Sequence, residues 1–210
     1  MMKRILVVLA MVPMFAAAAE VAPGTIQVTG NSNLGFATGS EKTKVTGAPE
    51  SKVDGTQFDL GARSLYYVIK DLGVGLDLSY GFESQKFEAT AGGANKNSSA
   101  TLQIGPAIEY SYPVAEKASV FGFATVGYVT ETDKGTTDGV DDPDVKRTGF
   151  GYELAVGAKY FFTKSFSLDG SVGYASQTVS EEVTGATGPK PDITTAGFGL
   201  NVGLSVYFGQ

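Results

Sequence analysis

From Ala196 to Phe208 every even position is apolar: Ala196, Phe198, Leu200, Val202, Leu204, Val206 and Phe208. The odd positions between them are small or polar, apart from Tyr207. Successive side chains of a strand point to opposite faces, so this spacing predicts a strand with one apolar face. Seven further stretches alternate in the same way, over 24–39, 56–69, 72–87, 99–113, 118–132, 147–162 and 165–180, before the closing one over about 194–208. The connections alternate too. Residues 70–71, 114–117 and 163–164 are tight, whereas 40–55, 88–98, 133–146 and 181–193 are long and rich in Gly, Thr, Asp, Glu, Lys and Pro. Eight strands, three short turns and four long loops predict an all-β, up-and-down antiparallel sheet with both termini at the short-turn end.

The two faces decide what surrounds that sheet. In 72–87, Val74, Leu76, Leu78, Tyr80 and Phe82 oppose Asp77, Ser79 and Glu83. In 147–162, Phe150, Tyr152, Leu154, Val156, Tyr160 and Phe162 oppose Glu153 and Lys159. A soluble sandwich or a lipocalin would turn the apolar face inward and the charges outward. Three features favour the reverse. The stretches run about 13–16 residues, far beyond the usual globular strand and enough to cross a bilayer at a tilt. Aromatics collect at two levels: Tyr66, Tyr110, Tyr112, Tyr160, Phe162, Phe166 and Phe208 near the short turns, and Phe36, Phe58, Phe82, Tyr128, Phe150, Tyr152, Tyr174 and Phe198 near the long loops. Paired girdles of this kind mark the two membrane interfaces. Third, "MMKRILVVLAMVPMFAAAAE" joins a basic start (Lys3, Arg4), an apolar run and a small-residue run ending at Ala19. That layout predicts a secretory signal peptide over 1–19, cut before Glu20, and an outer-membrane domain over 20–210.

The expected fold is therefore an eight-stranded transmembrane β-barrel in the bacterial outer membrane, with short periplasmic turns and four long extracellular loops. One strand breaks the rule, because Phe121, Phe123 and Val129 lie on its polar face.

Composition narrows the chemistry. The chain has no His, Cys or Trp, but 28 Gly, 13 Phe and 10 Tyr. Without histidine there is no Ser–His–Asp triad and no His–metal site, and without cysteine no disulfide or zinc cluster. We expect no catalytic residue, no cofactor and no metal, so the protein reads as a non-enzyme. The formal net charge is −6, and loss of Lys3 and Arg4 takes it to −8. An acidic surface argues against nucleic acid as a partner. A mean hydropathy of +0.02 fits strands that are half apolar better than helices that are wholly so.

The closing "NVGLSVYF", Asn201 to Phe208, reads polar, any, Gly, two of any, hydrophobic, any, hydrophobic. With the eight-strand layout, it resembles the small outer-membrane barrels: OmpX, the OmpA transmembrane domain and the opacity proteins. The resemblance covers nearly all of the mature chain. It implies that Asn201, Gly203, Val206 and Phe208 form the signal read by the barrel-assembly machinery. Gly209 and Gln210 follow, where members of that group often end on the aromatic itself. It also implies outer-membrane lipid and lipopolysaccharide as surroundings. The role implied is display of surface loops in envelope integrity, adhesion or surface interaction. Lipid-modifying enzymes among such barrels rely on a histidine, which this chain lacks. Nothing in the sequence demands more than a monomer.

Eight charges belong to the inward face: Asp59, Arg63, Asp77, Glu83, Glu109, Glu153, Lys159 and Asp169. If every even residue faces outward, the tight turns set Arg63 opposite Asp77 and Lys159 opposite Asp169, as two lumenal ion pairs. Asp59, Glu83, Glu109 and Glu153 are left as further lumenal acids. Eight strands leave little room for a pore, so these charges form a structural plug or, alternatively, a narrow cation-preferring path. The "TDGVDDPD" loop, 137–144, gathers Asp138, Asp141, Asp142 and Asp144. It lacks the spacing of a calcium loop and reads as solvated acid.

Overall fold

The computed structural model describes residues 20–43, 51–89, 94–137, 140–142, 144–182 and 192–209. The export signal expected over 1–19 lies outside them. Eight long strands form the fold: β1 (Ile26–Thr43), β2 (Ser51–Ile69), β3 (Leu72–Ala89), β4 (Ala94–Ala115), β5 (Ala118–Thr137), β7 (Val145–Thr163), β8 (Phe166–Glu182) and β9 (Asp192–Phe208). A two-residue strand, β6 (Val140–Asp141), adds to the end of β5. There is no helix among the described residues. Each long strand pairs antiparallel with its neighbours in sequence, β4 joins β5, and β1 joins β9, so the sheet closes on itself.

Closure fixes the geometry. From Ile26 the cross-strand partners run through Tyr66, Val74, Ile108, Ala124, Leu154 and Tyr174 to Phe198. Yet Ile26 itself pairs with Phe208. The ring thus returns displaced by ten residues, 198 against 208. With a rise of about 3.3 Å per residue and about 4.8 Å between strands, eight strands and that stagger tilt the strands by roughly 40°, as in membrane barrels. Each residue then climbs about 2.5 Å, and about ten residues cross the apolar band.

Apart from the pairs at the short turns, Ile69 with Leu72, Ala115 with Ala118 and Thr163 with Phe166, and those of the two-residue β6, the registers join residues of the same parity, so one rule serves nearly the whole ring. Even residues face outward, as with Leu76, Leu154, Val156 and Leu200, which are exposed. Odd residues face inward, as with Arg63, Asp77, Glu109 and Lys159, which are buried. The outward aromatics form two levels. Phe58 lies 5.5 Å from Phe82, Tyr128 5.9 Å from Phe150 and Tyr174 5.1 Å from Phe198 at one end. Tyr160 lies 5.3 Å from Phe162 at the other. The side chain of Phe36 lies outside the described residues.

The loops differ from expectation in one respect. The strands are 17 to 22 residues long, and most of the expected loop residues zip into ladders. Thr43 pairs with Ser51, Glu88 with Ala94 and Ser180 with Asp192. The cause is solvation. Above the bilayer both faces meet water, so the hydropathy alternation disappears. The backbone still gains by pairing its N–H and C=O groups.

Candidate functional site

The lumen has two storeys. The lower one, towards the short turns, is occupied by buried side chains. The Lys159 ammonium, fully buried, donates to Glu109 Oε1 and to Gln27 Oε1 at 3.0 Å, and lies 3.2 Å from the Tyr207 hydroxyl. The Tyr67 hydroxyl sits 2.6 Å from Gln27 Oε1 and 2.9 Å from Glu109 Oε1. Arg63 Nε donates to Asp77 Oδ1 at 3.0 Å, and its Nη1 reaches Glu109 Oε2 at 3.5 Å. Glu109 therefore bridges both cations. A charge taken from water is tolerable only with such partners, and here each has several.

The register sets Arg63 opposite Asp77 and Lys159 opposite Asp169. The first two form an ion pair. The expected pairing of Lys159 with Asp169 needs correction. The Lys159 ammonium crosses the lumen to Glu109, while Asp169 accepts from the hydroxyls of Ser167, at 2.6 Å, and Ser205. Register fixes where Cα atoms stand, but a four-carbon stem spans a narrow lumen. The serines flanking Asp169 take its oxygens first.

Sequence reasoning missed much of this floor. Gln27, Thr29, Ser205, Tyr67 and Tyr207 complete it, with Gln27 Nε2 donating to Thr29 Oγ1 at 2.7 Å and to Ser205 Oγ at 3.1 Å. A signal was present. Tyr67, Phe121, Phe123, Phe161 and Tyr207 are aromatics at odd positions, where the parity rule calls for small or polar residues. All five are buried in one cluster. Three of them serve the cations: the Arg63 guanidinium lies 3.2 Å from the Phe123 ring centre, and the Lys159 ammonium 5.1 Å from that of Phe121 and 5.6 Å from that of Tyr207. The irregularity of the fifth strand is thus the aromatic cradle of the buried charges.

The upper storey is a cavity of about 480 Å³, lined among others by Asp59, Asp77, Glu83, Gln103, Glu153 and Asn201. It holds three of the expected lumenal acids, Asp59, Glu83 and Glu153. The fourth, Glu109, belongs to the floor. Asn201 Nδ2 donates to Glu153 Oε1 at 3.3 Å, so the first residue of the closing "NVGLSVYF" faces the cavity. Gly203 is buried opposite Asp169, and Val206 and Phe208 are exposed on the outer wall. Of the acidic 137–144 segment, Asp144 pairs with Lys134 at 3.4 Å. Asp138 and the side chain of Asp141 lie outside the described residues. No group of three or more acidic side chains able to hold a metal gathers among the described residues.

A ring of tilted strands with apolar side chains outside and charges within points to a membrane barrel, and the sequence matches one family over residues 5–208: the outer membrane protein beta-barrel domain. The chain belongs to that family. No curated protein matches it by sequence. Among solved structures, it is similar to the outer membrane protein OprG of Pseudomonas aeruginosa, with 14% identity, 92% of this chain and 100% of that one covered, and a TM-score of 0.50. It is also similar to Ail, the attachment invasion locus protein of Yersinia pestis (15% identity, 89% and 99% covered, TM-score 0.42). A third is Neisserial surface protein A (14%, 92% and 99%, TM-score 0.38). The likeness to OprG is one of fold. As a member of the outer membrane protein beta-barrel domain family, the chain is a protein of the bacterial outer membrane. Its exposed even face is the one that meets lipid.

Proposed function

We propose that this outer-membrane barrel is a non-enzymatic display protein, presenting the upper ladders and the acid-lined cavity to the outside in envelope integrity, adhesion or surface interaction. The observation that carries this reading is the floor. Lys159, Glu109, Gln27, Tyr67 and Tyr207 are each at most 2% exposed, and their hydrogen bonds link β1, β2, β4, β7 and β9 across the lumen. A path for ions would have to break these contacts, each of which compensates a buried charge or hydroxyl. Rigid strands that carry polar ladders beyond the membrane offer a surface of the kind that binding proteins use.

The acids of the upper cavity favour a second reading, a narrow cation-preferring channel. Conductance of the refolded barrel in a planar bilayer separates the two. A folded but electrically silent barrel is expected. Discrete cation-selective steps that weaken in Glu153→Gln would overturn the display reading and make the cavity the vestibule of a path.

A further inference from the structure

The segment before β1 closes the lower mouth of the barrel. Val21 is fully buried and belongs to the same cluster as Tyr67, Phe161 and Tyr207. Ala22–Pro23–Gly24–Thr25 forms a tight turn, with Thr25 N–H donating to Ala22 O at 3.3 Å and Gly24 at a φ of 86°. Proline and then a glycine of positive φ are the central residues a type II turn prefers. Val21 and Asp71 clasp each other: Val21 N–H donates to Asp71 Oδ1 at 2.8 Å, and Asp71 N–H donates to Val21 O at 3.0 Å. Asp71 is buried and stands in the left-handed region with a φ of 61°. Next to it, Lys70 binds the Glu20 side chain at 2.6 Å.

The Lys70–Asp71 turn thus offers one cation and one anion to Glu20. The cation is taken by the Glu20 side chain. Among the described residues the anion accepts only an amide N–H, and burial pushes its carboxyl above the ordinary value, with Val21 N–H and Lys70 pulling the other way. A buried carboxylate without a full cation is the arrangement most in need of one.

We propose that hydrolysis of the Ala19–Glu20 bond creates an α-ammonium that pairs with Asp71 and latches the N-terminal segment into the periplasmic mouth. The cut adds one water: its oxygen joins the Ala19 carbonyl carbon as carboxylate, and the Glu20 nitrogen leaves as an amine that is protonated near neutral pH. The nitrogen so charged is one peptide unit from the Val21 N–H already on Asp71. Glu20 then meets Lys70 with its carboxylate and Asp71 with its ammonium. The precursor, whose Glu20 nitrogen is a neutral amide, lacks the second contact. Processing then reinforces a closure that the Val21–Asp71 clasp already makes. The inference rests on removal of residues 1–19 and is independent of what the outer face binds.

The test compares two refolded proteins: one that starts at Glu20, cut from a cleavable fusion, and one carrying a Gly-Ser-Gly-Ser extension before Glu20. Each is made with Asp71 and with Asp71→Asn. Asparagine keeps the acceptor for Val21 N–H and suits the left-handed backbone, so the variant retains the clasp. The protein starting at Glu20 is expected to unfold about 3–6 °C higher than the extended one, with no difference in the Asp71→Asn pair. As a second measurement, the free amine should react several-fold more slowly with an amine-directed reagent in the Asp71 protein than in Asp71→Asn. Equal unfolding temperatures, or a difference that persists in Asp71→Asn, overturn the latch. So does an N-terminus other than Glu20 on protein purified from outer membranes.

Discussion

Glu109 is the residue on which the floor turns, because among the described residues it alone forms ion pairs with both Arg63 and Lys159. Removing one partner of a buried pair leaves the other charged and dry, which costs about 3–5 kcal/mol. Lys159→Met and Glu109→Gln should each lower stability by that order in urea unfolding of the refolded barrel. The double variant should lose clearly less than the two losses combined, since neither charge is then stranded. Strict additivity would mean that the two residues do not act as a pair. Phe123→Leu removes a ring 3.2 Å from the Arg63 guanidinium and should cost about 0.5–2 kcal/mol beyond its lost packing. Phe121→Leu, at 5.1 Å from the Lys159 ammonium, should cost less by the same assay. Asp71 adds a pH dependence. Burial raises its carboxyl in the folded chain, so the fold favours the protonated form. The stability this gives is complete below the ordinary carboxylate range, about pH 4, and is lost as pH rises through the raised value. The groups facing Asp71 are the Glu20 carboxylate, the Lys70 ammonium and the Val21 N–H. In the extended protein, which lacks the nearby ammonium, unfolding temperature should fall as pH rises from the ordinary range towards neutrality. Asp71→Asn should flatten that slope, and a slope unchanged by the variant would assign it to other groups.

Strands give the clearest tests of why particular glycines are present. A Cβ on Gly105, inside β4, would run into the Val126 carbonyl oxygen and the Gly127 Cα of β5. These are backbone atoms that cannot swing aside. Gly30, on the outer face of β1, has nothing within 4 Å of such a Cβ. Gly105→Val should therefore reduce the fraction that refolds to the heat-modifiable form and cost about 3 kcal/mol in the part that does. Gly30→Ala should stay within about 0.5 kcal/mol of the parent. Similar losses at both sites would show that backbone approach is not what Gly105 permits. The two glycines also mark what a sequence can reveal about this barrel. Face and parity were legible, because lipid on one side and a narrow lumen on the other impose a period of two from Ile26 to Phe208. The same parity placed Arg63 against Asp77. It could not foresee that Lys159 would reach past Asp169 to Glu109, since that choice depends on side-chain length and on the serines beside Asp169. Nor could hydropathy extend the strands over 88–89 and 94–98, where the ladder rises beyond the bilayer. The floor aromatics were visible only as exceptions, Phe121 and Phe123 in β5 and Tyr207 in β9.

At the scale of the whole barrel, the tilt sets a division of labour along each strand. About ten residues suffice to cross the bilayer, yet β3 has 18 residues and β4 has 22. The remainder rises beyond the girdle formed by Phe58, Tyr80 and Phe82, away from the floor of Arg63, Glu109 and Lys159. Stability should then reside in the membrane-spanning storey and its floor, with the upper ladders free to vary. The β3–β4 hairpin offers a direct test. Ser84 and Ser98 stand opposite each other, four positions nearer the membrane than the last pair at Glu88 and Ala94. Replacing residues 85–97 with Asn-Gly closes the ladder there with a two-residue turn whose twist matches the strands, and it leaves every register below unchanged. The shortened protein should refold and unfold within about 1 kcal/mol of the parent in urea. Failure to refold would locate part of the folding determinant above the membrane, and the upper ladder would then be structure rather than a surface held out for a partner.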